Sequence, residues 1–98
     1  MTHSIRANVA EDDKMYHIDL EMPGMTNIEV SQDEDILGIE AEKEQIEYIR
    51  AESPRGRFAR FFKLPRDSGD ITAKYVDGIL QVQIEKDNSK GKKLIKVS

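Results

Sequence analysis

The sequence predicts an all-β sandwich of about seven to nine short strands. Apolar and polar residues alternate with period 2 through most of the chain. Turn residues interrupt the alternation about every 8–12 positions. An Asp77-Gly78 pair stands between two alternating runs, the strongest short-range signal for a hairpin.

The runs follow in order. Ile5 to Val9 is the first. Tyr16, Ile18, Leu20 and Met22 then share a face, with His17, Asp19 and Glu21 opposite. Pro23, which lacks an N–H, and Gly24, which tolerates positive φ, end that strand. Ile28 and Val30 alternate with Asn27, Glu29 and Ser31, and Ser31 to Asp35 reads as a polar turn. Leu37, Ile39 and Ala41 form the next face. Residues 40–52 are ambiguous: Ala, Glu, Lys, Gln and Arg favour a helix, and Ile46 and Ile49 lie three apart. Ser53-Pro54-Arg55-Gly56 ends that stretch sharply.

Beyond it the alternation is cleaner. Phe58, Arg60, Phe62 and Leu64 share a face up to Pro65, with Phe61 opposite as the better candidate for an exposed contact. Arg66 to Asp70 reads as a loop. Ile71, Ala73 and Tyr75 precede the Asp77-Gly78 turn, and Leu80, Val82 and Ile84 follow it. Lys86 to Lys93 has the composition of a polar linker before Leu94-Ile95-Lys96-Val97-Ser98.

Composition excludes several functions. The 98 residues suit one domain and carry a net charge of −4, without the basic stripe a nucleic-acid binder uses. No apolar run approaches the ~20 residues of a membrane span, and Met1 to Ala10 has no signal-peptide core. Without cysteine there is no disulfide or thiolate chemistry, which suits a cytoplasmic location. The only histidines, His3 and His17, lack ligand spacing, so no metal is expected. Asp33-Glu34-Asp35 lacks a calcium loop, and Lys90-Gly91-Lys92-Lys93 lacks a phosphate-loop frame. Six serines include no nucleophile elbow, and the carboxylates are scattered on outward positions. The chain therefore reads as a non-enzyme without cofactor.

Three ordered segments resemble the α-crystallin domain of small heat-shock proteins. Leu20-Glu21-Met22-Pro23-Gly24-Met25, followed by Ile28-Glu29-Val30, is similar to the family's "LPG, then I-V" passage. Gly56 to Pro65 is similar to its Phe-rich strand ending in Leu-Pro. Ala73 to Leu80 matches A-x-x-x-(N/D)-G-(V/I)-L, with Asp77 and Gly78 as the hairpin motif. The resemblance covers about residues 5–86. It implies an immunoglobulin-like antiparallel β-sandwich over residues 1–86, with residues 87–98 as a C-terminal extension. It implies an ATP-independent holdase, with copies of itself and partly unfolded client proteins as partners. A homodimer would form by lending Ile46, Tyr48 and Ile49 as an exchanged strand, with Arg60 near the interface. The loop leading into that strand, Glu42 to Gln45, is short for the family. The family also carries an aromatic and aliphatic arm before the domain, whereas this chain begins almost at its first strand, which lowers the expectation of large shells.

The resemblance also assigns the tail. Ile95 and Val97 would be an I-x-V anchor for an apolar groove lined by Ile28, Val30, Ile71 and Ala73 on another copy, and the eight-residue linker would span about 15 Å. The alternative is a last strand in the chain's own sheet. Arg60, on an apolar face, either pairs with a nearby carboxylate or serves the interface. Met15, Met22 and Met25 read as gap-fillers before client contacts. Two rivals remain: a p23/CS-type adaptor for a folded partner, and a carbohydrate-binding sandwich, which would need a row of exposed aromatics.

Overall fold

The computed structural model describes residues 5–44, 55–87 and Val97. Seven strands are present among the described residues: β1 (Arg6–Glu11), β2 (Met15–Glu21), β3 (Met25–Asp33), β4 (Ile36–Glu44), β5 (Arg55–Lys63), β6 (Ser68–Val76) and β7 (Ile79–Lys86). They form two antiparallel sheets, one ordered β1-β2-β7-β6 and the other β3-β4-β5. No helix among the described residues is long and apolar enough to cross a membrane.

The alternation in the sequence builds the core directly. Ile18 lies opposite Val82 and Leu20 opposite Leu80, so their side chains share the inner face of the larger sheet. Leu37, Ile39 and Ala41 line the inner face of the smaller one, and all seven of these residues are buried. Ile5, Met22 and Leu64, just outside strands, close the ends of the core. Each large apolar side chain so buried stabilises the fold by about 1.5–3 kcal/mol. Met22 is fully buried and Met25 packs against the core, the gap-filling role.

The Asp77-Gly78 turn has positive φ at both central residues, 50° and 80°, as a type I′ hairpin requires. This turn also holds the crossing between sheets. The Met22 N–H donates to the Gly78 carbonyl at 2.8 Å. The Tyr75 hydroxyl donates to the Met22 carbonyl at 2.6 Å. Pro23 packs so closely that a Cβ on Gly78 would sit 3.2 Å from its Cα.

Several boundaries differ from the sequence expectation. Ser31 to Asp33 belong to β3, with Gln32 opposite Leu37, and only Glu34 and Asp35 make the turn. Ser68 to Asp70 belong to β6: Ser68 pairs with Lys86 of β7, and Gly69 and Asp70 fall in the bulge that follows. Lys86 ends β7 and is not linker. Residues 40–44 are strand despite their helical composition. Ala41 is buried there, and Glu42 is paired with both neighbours, Thr26 and Arg57, so tertiary pairing overrides propensity. The rest of the ambiguous stretch lies outside the described residues.

Two opposite stability effects are expected at the turns. Gly78→Ala forces a side chain into the left-handed region and against Pro23, and should destabilise by about 1–3 kcal/mol. Glu34 already sits at φ 55° without being glycine, so Glu34→Gly should stabilise, by at most about 1 kcal/mol. Denaturant melts at equal protein concentration measure both.

Candidate docking edges

A four-stranded sheet laid on a three-stranded one leaves its margins unevenly covered. Among the described residues, β1, β3, β5 and β6 each have a strand on one side only. Their outward N–H and C=O groups are therefore templates for another extended chain.

β3 and β6 lie beside each other across the gap between sheets. Gln32 of β3 and Ser68 of β6 line one pocket of about 400 Å³, together with Leu64 and Arg66. Tyr75 of β6 reaches Met22, just ahead of β3. Ile28, Val30 and Ile71 pack against the core while only half-buried. Ala73 lies opposite Val82, which is fully buried, so Ala73 faces inward; it is nevertheless exposed. Ala73 thus has exposed surface on the unpaired edge of β6. Ile28 and Val30 lie on β3, and Ile71 and Ala73 on β6, the two edge strands of this margin, or seam.

Both strands of the seam carry a bulge that the sequence reading missed. β3 gains a residue between Thr26 and Glu29, and β6 between Ser68 and Ile71. In β3 the extra residue comes with Asn27 at φ 50°, where asparagine is well tolerated. Its amide donates to Glu42 Oε2 at 2.9 Å. Bulges bend an edge and limit uncontrolled pairing. Asn27 beside Gly24 was the available signal, but an αL asparagine fits a turn equally well.

The opposite margin is different. Val9 of β1 lies opposite Ile18 and so faces inward, yet it is 64% exposed. Arg60, half-buried on β5, donates to the Ile5 carbonyl at 2.8 Å and lies 5.1 Å from the Phe62 ring centre. Among the described residues its head takes a backbone carbonyl, whereas the sequence left open a carboxylate partner or a role at the interface. Ile46, Tyr48 and Ile49 lie outside the described residues, as does Ile95. Val97 is in no strand and is 90% exposed.

The family model described as Hsp20/alpha crystallin family matches residues 8–98. The chain belongs to the Hsp20/alpha crystallin family. It is 39% identical to small heat shock protein C4 of Rickettsia felis over 97% of this chain and 64% of that protein. It is 33% identical to an 18.8 kDa class II heat shock protein of Ipomoea nil over 82% of this chain and 56% of the relative. The chain therefore spans about six-tenths of the length of these relatives. A solved small heat-shock protein from Xylella fastidiosa superposes with a TM-score of 0.76 at 28% identity, covering 96% of this chain and 95% of that one. The seven described strands thus form the immunoglobulin-like sandwich of the α-crystallin domain.

Two further features of this α-crystallin domain lie away from the seam. Phe61 stands on the outer face of the small sheet, 59% exposed, as its position in the alternation implies. Its ring covers Gly38, where a Cβ would come within 3.1 Å of it. Second, the β1–β2 turn is built on Asp12. Oδ1 accepts from the N–H groups of Lys14 and Met15 at 2.8 and 2.7 Å, and Oδ2 lies 2.8 Å from His17 Nε2. The His17 hydrogen bond, then the two amides, lower the Asp12 pKa from 3.8 to about 2. Nearby, Tyr16 donates to Asp67 Oδ1 at 2.8 Å, which raises the Tyr16 pKa. Among the described residues no group of three or more His, Asp or Glu side chains gathers as a metal site would need.

The Asp12 turn predicts a sign. The folded pKa lies below the unfolded one, so the carboxylate's contribution is fully present above about pH 4. It is lost as pH falls toward about 2, the folded value. Asp12→Asn should flatten this part of the stability–pH curve. Urea midpoints taken between pH 5 and pH 2 measure it.

Proposed function

We propose that the chain is an ATP-independent holdase that takes extended apolar segments of partly unfolded proteins into its open sheet edges. The observation that carries this reading is the pair of unpaired edges: Ala73 on β6 is exposed, and Ile28, Val30 and Ile71 on β3 and β6 are only half-buried against the core. A destabilised client offers the matching surface, an extended chain with alternate apolar side chains. Burying about 400 Å² of it would release roughly 10 kcal/mol gross at about 25 cal/mol per Å². Association and ordering costs remove much of that, so capture is reversible and needs no turnover. Carboxylates on the outward positions keep the loaded complex in solution. The family match favours this reading over a p23/CS-type adaptor or a carbohydrate-binding sandwich.

The same edges suit self-assembly. Residues 87–98 would act as an extension whose Ile95 and Val97 enter the seam of another copy. Ile46, Tyr48 and Ile49 would pair with the β1 edge of a partner, next to Arg60. The Xylella fastidiosa relative has a distinct high order structure, which supports assembly beyond a dimer. A chain without cysteine suits a reducing cytoplasm.

Light scattering of a heated model client, without ATP, tests capture. Scattering should fall as the protein approaches equimolar amounts; undiminished scattering at several-fold excess rejects the reading. The tail is tested separately by native mass. Ile95→Ser with Val97→Ser removes two aliphatic side chains from the seam and should weaken assembly beyond the dimer by roughly tenfold or more. An unchanged mass distribution on dilution would mean that the tail is no anchor.

A further inference from the structure

β1 is held by its ladder with β2 but contributes little to the core. Of its six residues only Ala7 is even partly buried. Its start is secured by the buried Ile5 and by the Arg60 bond to the Ile5 carbonyl. Its far end is secured by Lys86, which belongs to β7, although β2 lies between β7 and β1.

Lys86 reaches across β2 to do this. Its ammonium donates to Glu11 Oε2 at 2.7 Å and to the Asp12 carbonyl at 2.6 Å. On the way it lies 4.8 Å from the centre of the Tyr16 ring. The Lys86 side chain is only 15% exposed, although Glu11 is 62% exposed. An ion pair to so exposed a carboxylate would be weak alone. The carbonyl bond and the aromatic face give the contact its fixed geometry. The residue's backbone is fixed as well. Its N–H donates to the Lys14 carbonyl at 2.9 Å, and the next N–H, of Asp87, donates to the Asp67 carbonyl at 2.6 Å. Tyr16 is itself held by Asp67.

We infer that Lys86 is a positioning residue that braces the β1 edge to receive a strand from a second copy and sets the point from which the C-terminal extension departs. The assembly part rests on the proposal that β1 is the edge where copies pair. An edge strand that frays must be re-ordered each time a partner docks, so a brace lowers the ordering cost of pairing.

The test uses the full chain with Lys86→Met, which keeps the apolar stem over Tyr16, and Glu11→Gln, which keeps an acceptor without charge. Ile46→Ser, Tyr48→Ser and Ile49→Ser combined report on the edge itself. Hydrogen exchange is followed at β1, β2 and β7 amides, and dimer dissociation by sedimentation across concentration. Lys86→Met should speed exchange across β1 roughly tenfold and raise the dissociation constant by a similar factor, with β7 amides unchanged. Glu11→Gln should do the same more weakly, and Lys86→Arg should restore part of the protection. Unchanged β1 exchange in Lys86→Met overturns the brace. Faster exchange with unchanged dissociation, where the triple serine variant does dissociate, overturns its role in assembly. A triple serine variant that stays dimeric rejects the edge reading instead, and the brace is then decided by β1 exchange alone.

Discussion

Backbone hydrogen bonding at the rim of the sandwich constrains the rest of this molecule. Seven described strands divided four and three cannot cover one another or close into a barrel. Among the described residues an edge strand presents polar backbone on one side, and β1 and β6 add a strip of incompletely covered apolar residues. Val9 and Ala73 mark two such strips: each faces inward by register, and each meets water. A chain serving only as a rigid monomer would gain stability by covering them. Here they lie on the margins where the proposed function would have extended segments dock.

The rim is open but not loose. Three long side chains each cross a gap to donate to a backbone carbonyl near the end of an edge strand. Arg60 takes Ile5 ahead of β1, Lys86 takes Asp12 after β1, and Tyr75 takes Met22 ahead of β3. Each bond satisfies a carbonyl where the chain enters or leaves a sheet, and each fixes the strand end from the side. Among the described residues no buried side-chain nitrogen or oxygen lacks a partner. The edges of β1 and β3 are thus shaped by polar contacts near their ends, and bulges bend β3 and β6.

The inner faces were legible residue by residue, because burial leaves a period-2 trace. Ile18, Leu20, Leu37, Ile39, Leu80, Val82 and Ile84 are all where the alternation put them. The Asp77-Gly78 hairpin was legible for a similar reason, since few residue pairs tolerate positive φ twice. Polar strand ends were not. Ser31 to Asp33 and Ser68 to Asp70 carry turn-forming side chains, and only the neighbouring strand makes them extended. Residues 40–44 show the same competition, with helical composition overruled by two flanking strands. The groove reading of Ile28, Val30, Ile71 and Ala73 rests on resemblance to a family; in the structure they lie on two edge strands, β3 and β6. Lys86 and Asp12 were invisible, because their partners depend on three-dimensional proximity that no spacing encodes. Lys86 in particular reads as the first residue of a polar linker.

Hydrogen exchange of the protein with and without a heat-unfolded client tests the central claim most directly. If open edges capture extended segments, protection should rise along β3 and β6, centred on residues 28–32 and 71–75, and the strands between them should change little. Protection that rises only on the outer face around Phe61, or nowhere in the sandwich while client is bound, would contradict the account.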